Sequence, residues 1–179
     1  MNFKHISKLA KPTYTYEIGG ILYFLGKMMN AKTTIEIGVK GGYTSLLLGK
    51  LADENNGKHY AVDISKKWLT QLEINATTLS IKNIIFVNED SGDIDWRTFE
   101  HLENTIDLAF IDGDHSYKAV KQDIRQIADA IRVGGILAFH DYYDFRNIGV
   151  KKAVDEMWND NWEQITIPYE RGLVLWRKK

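Results

Sequence analysis

Short apolar runs that end in glycine or an acid, each followed by a stretch with helical periodicity, recur along this chain and leave few folds open to it. Thr34-Ile35-Glu36-Ile37-Gly38-Val39 is a β-branched run ending in glycine, and Tyr43 to Leu51 reads as a helix. His59-Tyr60-Ala61-Val62 comes next, then a helix with the face Leu69, Leu72, Ala76 and Leu79, then Ile84-Ile85-Phe86-Val87. Ile106 to Ile111 is almost continuously apolar, and Val120, Ile124, Ile127 and Ile131 after it recur at helical spacing. Gly134-Gly135 then turns the chain into Ile136 to Phe139. Strands that alternate with helices and are apolar on both faces belong to a parallel sheet covered on both sides.

The pattern changes after a helix around Val150 to Trp158. Trp162 to Ile167 and Leu173 to Trp176 are joined by a short turn containing Pro168 and Gly172, which predicts a hairpin and hence an antiparallel strand. Near the start, Ile18, Ile21, Leu22, Leu25, Met28 and Met29 predict an amphipathic first helix. The expected architecture is α/β: a doubly wound, mostly parallel sheet of seven strands with a C-terminal antiparallel hairpin and helices on both faces. A single domain spans residues 1–179, with a helical lead-in over 1–31 and the core over 32–179.

Composition narrows the partners. At 179 residues the chain can bury roughly 70% of its unfolded surface in one core. A formal net charge of -1 supplies no field for nucleic acid or an anionic membrane. The absence of cysteine excludes disulfides, thiolate metal sites and cysteine nucleophiles. The N-terminus has no apolar stretch of signal-peptide length and Ile21 to Leu25 is too short to span a bilayer, so a cytoplasmic location is expected. Trp158, Trp162 and Trp176 read as core or interface residues, and the first helix and the hairpin tryptophans offer apolar surface for a homo-oligomer.

The polar residues fall where strands end. In open α/β sheets those ends line the crevice that binds ligands. Gly38, Gly41 and Gly42 form a turn into a helix, which suits either a tight βα connection or a ligand at the helix N-terminus. Asp63 fits two roles: accepting hydrogen bonds from ribose hydroxyls, or capping the helix that begins near Ser65. Asn88-Glu89-Asp90-Ser91 closes the third strand, as ligand contact or as cap. Asp112-Gly113-Asp114-His115 closes the fourth and His140-Asp141 the fifth, so both can face one crevice and jointly hold a cation or take a proton. Asp114 is explained by a cap near Ser116.

The order of motifs resembles the class I S-adenosylmethionine-dependent methyltransferases. The match consists of Glu36-Ile37-Gly38-x-x-Gly41, Asp63, Asp90-Ser91 and the closing hairpin. The resemblance implies a Rossmann-like fold in which Glu36, Gly38, Gly41, Gly42, Asp63, Asp90, Ser91 and Asp112 contact the cofactor. Gly38 to Gly42 would pass under its methionine part, Asp63 would take the ribose, and Asp90 or Ser91 the adenine. Asp112-Gly113-Asp114-His115-Ser116-Tyr117, with His140-Asp141-Tyr142, further resembles a bacterial O-methyltransferase branch that includes macrocin-type sugar enzymes and, more distantly, catechol-type enzymes. That likeness implies Asp112 and Asp141 as ligands of Mg2+ or another divalent cation, and His115 as the base. His140 stands where the sugar enzymes carry a carboxylate, and as a ligand it would favour softer first-row metals.

The expected function is therefore O-methyl transfer to a hydroxyl of a small molecule or glycan, the acceptor being a sugar or glycosylated metabolite. Two alternatives stand beside it. A dinucleotide-binding oxidoreductase would need the second glycine of G-x-G-x-x-G, which Gly38-x-x-Gly41-Gly42 lacks. A cofactor-binding module without turnover would have no use for Asp112, His115 and Asp141. Tyr14, Tyr16 and Glu17 read either as lining the cofactor mouth or as part of an entry helix. Tyr142, Tyr143, Phe145 and Arg146 read as lining the acceptor or as packing on the last helix.

Overall fold

The computed structural model describes residues 3–11, 16–146 and 148–179. The chain forms two compact units, residues 1–89 and 90–179. Among the described residues the first contributes three strands and the second four.

The first unit contains α1 (Phe3–Leu9), α2 (Tyr16–Met28), β1 (Thr33–Ile37), α3 (Tyr43–Asn55), β2 (Lys58–Val62), α4 (Lys66–Thr78) and β3 (Ile84–Val87). Its strands are parallel in the order β3-β2-β1, with Ile35 opposite Tyr60 and Tyr60 opposite Ile85. Leu46, Leu47, Leu48 and Leu51 are all buried, because α3 packs against β1 and β2 on one side and α2 on the other. The buried face of α2 is Ile18, Gly19, Leu22, Tyr23 and Gly26, while Met28 is 85% exposed. This corrects the apolar stripe expected from sequence. A Cβ at Gly19 or Gly26 would sit 2.9 Å from Leu47 Cδ1 or 2.3 Å from Leu51 Cδ2, so the glycines allow the close approach.

The second unit contains β4 (Ile106–Ile111), α5 (Tyr117–Ile127), β5 (Ile131–Phe139), α6 (Ile148–Met157), β6 (Trp162–Ile167) and β7 (Leu173–Lys178), preceded by two short 3-10 turns, Ser91–Asp93 and Phe99–His101. Strand order is β4-β5-β7-β6, with β4 and β5 parallel and β7 antiparallel to both β5 and β6. The predicted hairpin is present, and Gly172 turns it at φ 85°. Fully buried Trp176 meets Phe139 and Trp162 with ring centroids 4.7 and 5.6 Å away.

Two expectations need correction here. Ile131 belongs to β5 and not to the preceding helix, whose buried face is Val120, Asp123, Ile124 and Ile127. Gly134-Gly135 does not start a strand after a turn but lies inside one, where the β4 register shifts between Ile106 and Leu108 and Gly134 takes φ 77°. A Cβ on Gly135 would lie 2.9 Å from the Ile106 carbonyl, so the irregularity needs a glycine.

Candidate functional site

In the first unit, the end of β1 passes through a turn with three left-handed residues: Gly38 at φ 90°, Lys40 at 43° and Gly42 at 75°. Gly42 opens α3 and accepts the Leu46 N–H at 2.9 Å. Asp63, at the end of β2, ties the turn down. Its Oδ2 accepts the Val39 and Lys40 amides at 2.9 and 3.2 Å, and its Oδ1 accepts Ser65 N–H at 2.7 Å. Three of roughly four carboxylate acceptor positions are thus occupied by backbone. Ser65, and not Asp63, is the N-cap residue of α4. Asn88 donates to the Asp63 and Ile64 carbonyls at 2.9 and 3.0 Å, a brace that sequence reasoning missed.

Glu36 is buried, accepts the Ser45 hydroxyl from α3, and lies 4.0 Å from His59 Nε2 on β2. His59 takes part in a hydrogen bond with Thr34 Oγ1 through Nδ1, and burial pushes its pKa down to about 3, so it is neutral. A Cβ on Gly41 would meet only the Lys11 carbonyl, at 3.6 Å. Among the described residues nothing crowds position 41, so the turn leaves room there for close approach of a ligand. Tyr16 stacks on Tyr43 at 5.5 Å, Glu17 is exposed, and Tyr14 lies outside the described residues.

In the second unit, Asp112, His115 and Asp141 bring potential ligand atoms within 4.8 Å of one another. Asp112 follows β4 and Asp141 follows β5, which are parallel neighbours, so both ends fall together. His115 Nε2 lies 3.1 Å from Asp141 Oδ2 and 3.5 Å from Asp112 Oδ1. His140 Nδ1 lies 3.0 Å from Asp112 Oδ1 and 3.6 Å from Asp141 Oδ2, and its buried Nε2 has no hydrogen-bond partner among the described residues. The structure thus groups His115 with the two carboxylates and uses His140 to brace Asp112. Burial pushes the Asp112 carboxyl up, but the His115 and His140 imidazoles outweigh it and hold the group below its ordinary value. The Asp112 carboxylate, with Asp141 and Asp114 adding to it, raises His115.

Asp141 is 2% exposed and holds φ 57°, a left-handed conformation that costs a non-glycine residue free energy. Arg171, just before β7, lies 3.5 Å from Asp141 Oδ1 and 3.3 Å from Asp144 Oδ2. No local signal pointed to it. Asp114 accepts from Ser116 N–H at 2.9 Å and Ser116 is itself the α5 N-cap, so Asp114 supports the cap without being it. Tyr142 packs on α6, donating to Asp155 at 2.5 Å and accepting from Lys151 at 2.8 Å, while Phe145 is 85% exposed.

Asp90 accepts Gly92 N–H at 3.0 Å and caps the first 3-10 turn, and Ser91 donates to Asp123 at 2.6 Å. Among the described residues no helix is long and apolar enough to cross a membrane.

The chain as a whole is similar to known proteins. A caffeoyl-CoA O-methyltransferase of Stellaria longipes is 26% identical over 176 residues, 91% of this chain and 72% of its own. A flavonoid 3',5'-methyltransferase of Vitis vinifera is 32% identical over 142 residues, 78% of this chain and 59% of its own. The plant relatives matched are longer, and the chain spans 50% to 72% of their length. The solved O-methyltransferase from Bacillus cereus, in complex with SAH, shares the fold at a TM-score of 0.80 and 15% identity, over 99% of this chain and 90% of that one. Residues 35–142, from within β1 to the residue after Asp141, match the family described as a methyltransferase domain. With that match covering both strand-end clusters and most of the sheet, the chain belongs to the methyltransferase domain family.

Proposed function

We propose that this protein transfers a methyl group from S-adenosylmethionine to a hydroxyl of a small-molecule acceptor. The observation that carries the reading is the Asp112, His115 and Asp141 cluster, built on a buried carboxylate in a strained conformation. Family membership and the SAH named with the Bacillus cereus structure support the cofactor. So does the glycine turn, which among the described residues is uncrowded at Gly41.

Bound, S-adenosylmethionine supplies a sulfonium methyl group, whose transfer to the hydroxyl oxygen breaks the carbon–sulfur bond and leaves S-adenosylhomocysteine and a proton. Residues 38–42 and Asp63 hold the cofactor, the turn supplying close backbone approach. Asp90 and Ser91 contact the adenine. Asp112 and Asp141 orient the acceptor hydroxyl, and His115 takes its proton. The two carboxylates beside His115 stabilise the imidazolium that results.

As an alternative arrangement, the cluster would hold a divalent cation with Asp112, Asp141 and His115 as ligands, and His115 would then not serve as the base. Two carboxylates and an imidazole suit a first-row ion such as manganese better than magnesium, and such an ion lowers the pKa of a hydroxyl it touches. Plant relatives are named for caffeoyl-CoA and flavonoid substrates, which supports a phenolic acceptor. The exposed aromatic loop at Tyr143 and Phe145 suits a sugar ring equally, as the motif resemblance implies.

The test is methyl transfer to catechols and to glycosides, followed by mass spectrometry, with and without manganese. Replacing His115 by Ala should lower turnover by about 100-fold or more and leave affinity for S-adenosylhomocysteine unchanged. Loss of cofactor binding in that variant, or undiminished turnover, overturns the assignment of the base.

A further inference from the structure

The turn over residues 90–93 is held from the side by α5. Gln122 and Gln126 each donate a side-chain N–H to the Gly92 carbonyl at 2.9 Å. Asp123, on the same helix, is 3% exposed and accepts the Ser91 hydroxyl at 2.6 Å. Asp90 accepts the Gly92 amide, so the turn is fixed from within as well. Val120, Ile124 and Ile127 share the buried face of α5 with Asp123. Placing a carboxylate there costs desolvation that a leucine would avoid, so packing alone does not account for it.

The chemistry of the Ser91 contact runs one way. Burial, with the Asp90 and Asp114 carboxylates adding to it, pushes Asp123 up to about 6, so the group remains an anion at pH 8. An ionised carboxylate only accepts, and the proton in the 2.6 Å contact therefore belongs to Ser91 and points inward. Ser91 is partly exposed, and toward a ligand it presents lone pairs alone.

We infer that Asp123, acting through Ser91, sets the base specificity of the cofactor site by making Ser91 an obligate acceptor for the exocyclic amino group of a purine. The inference rests on the cofactor reading above, in which the turn receives the adenine. Adenine offers an amino donor at its 6 position. Hypoxanthine carries a carbonyl there, and two acceptors would then face each other without a proton between them. Asp123 is a positioning residue that does not itself touch the ligand. Sites that hydrogen-bond one substrate group reject analogues lacking it, because a buried polar group is left unpaired.

The experiment is calorimetric titration at pH 8 of the full chain with S-adenosylhomocysteine and with S-inosylhomocysteine, its deaminated analogue. The wild type should prefer the adenosyl compound. Asp123→Leu, similar in volume and placed on an apolar face, frees the Ser91 hydroxyl to turn and donate, and should narrow that preference by about 10-fold or more. Ser91→Ala removes the acceptor and should narrow it likewise, with thermal melts establishing that both variants are folded. An unchanged ratio in either folded variant overturns the proposal. Equal binding of both compounds by the wild type also overturns it while leaving the cofactor reading intact, and binding of neither overturns the cofactor reading itself.

Discussion

At the residue scale, Asp123 also makes stability depend on pH in a direction opposite to the usual paired carboxylate. Its pKa rises from 3.8 to about 6 on folding, so the folded chain binds that proton more tightly than the unfolded one. The stability it carries is whole below about pH 4 and is lost as pH rises through about 6, on the order of 3 kcal/mol in all. Asp123→Asn should therefore melt above the wild type at pH 8, with the gap closing toward pH 4. Parallel melting profiles for the two proteins would refute this. The sequence carried a sign of it, an acid within the Val120, Ile124, Ile127 stripe, but periodicity counts only the apolar positions. Asp63, Asp112, His115 and Asp141 stood out in the sequence as candidates because strand ends in such sheets line the ligand crevice. Arg171 was not, since its link to Asp141 depends on how the hairpin returns to β5.

At the scale of elements, glycines decide how closely helices approach what they pack against. Gly149 lies in the first turn of α6, where a Cβ would stand 2.5 Å from both the His115 carbonyl and the Tyr117 amide. Both are backbone atoms that cannot swing aside. Gly149→Ala should cost about 1–3 kcal/mol in urea unfolding and should lower turnover as well, because it displaces the segment that carries His115. A fall in stability with full turnover would show that α6 yields without moving His115. The same principle explains why the α2 stripe was misread: Gly19 and Gly26 contribute nothing to an apolar pattern, yet they form the face against α3. Gly134-Gly135 has the composition of a turn and here serves an irregular strand, since pairing with β4 supplies the partners that a turn would lack.

For the whole molecule, ligand linkage separates the methyltransferase from a dinucleotide enzyme. S-adenosylhomocysteine at a hundredfold over its dissociation constant should stabilise the fold by about 2.7 kcal/mol, which in a chain of 179 residues raises the melting temperature by roughly 5–10 °C. NAD should give no shift. Lys40 holds the left-handed conformation at the position of the second glycine of G-x-G-x-x-G, a glycine that such enzymes need for close backbone approach to the pyrophosphate. A shift with NAD alone would overturn the reading. By itself, the sequence determined the alternation of strands and helices, the closing hairpin and the placement of polar residues at strand ends, because periodicity and turn chemistry act over a few residues. Only the tertiary structure decided which of those polar residues meet. It joined His115 to Asp112 and Asp141, set His140 against Asp112, bound Asp63 to the glycine turn and Ser91 to Asp123. Such contacts depend on strand register and helix packing, which bring together side chains as many as 32 positions apart, as in Ser91 and Asp123, and no local pattern encodes them.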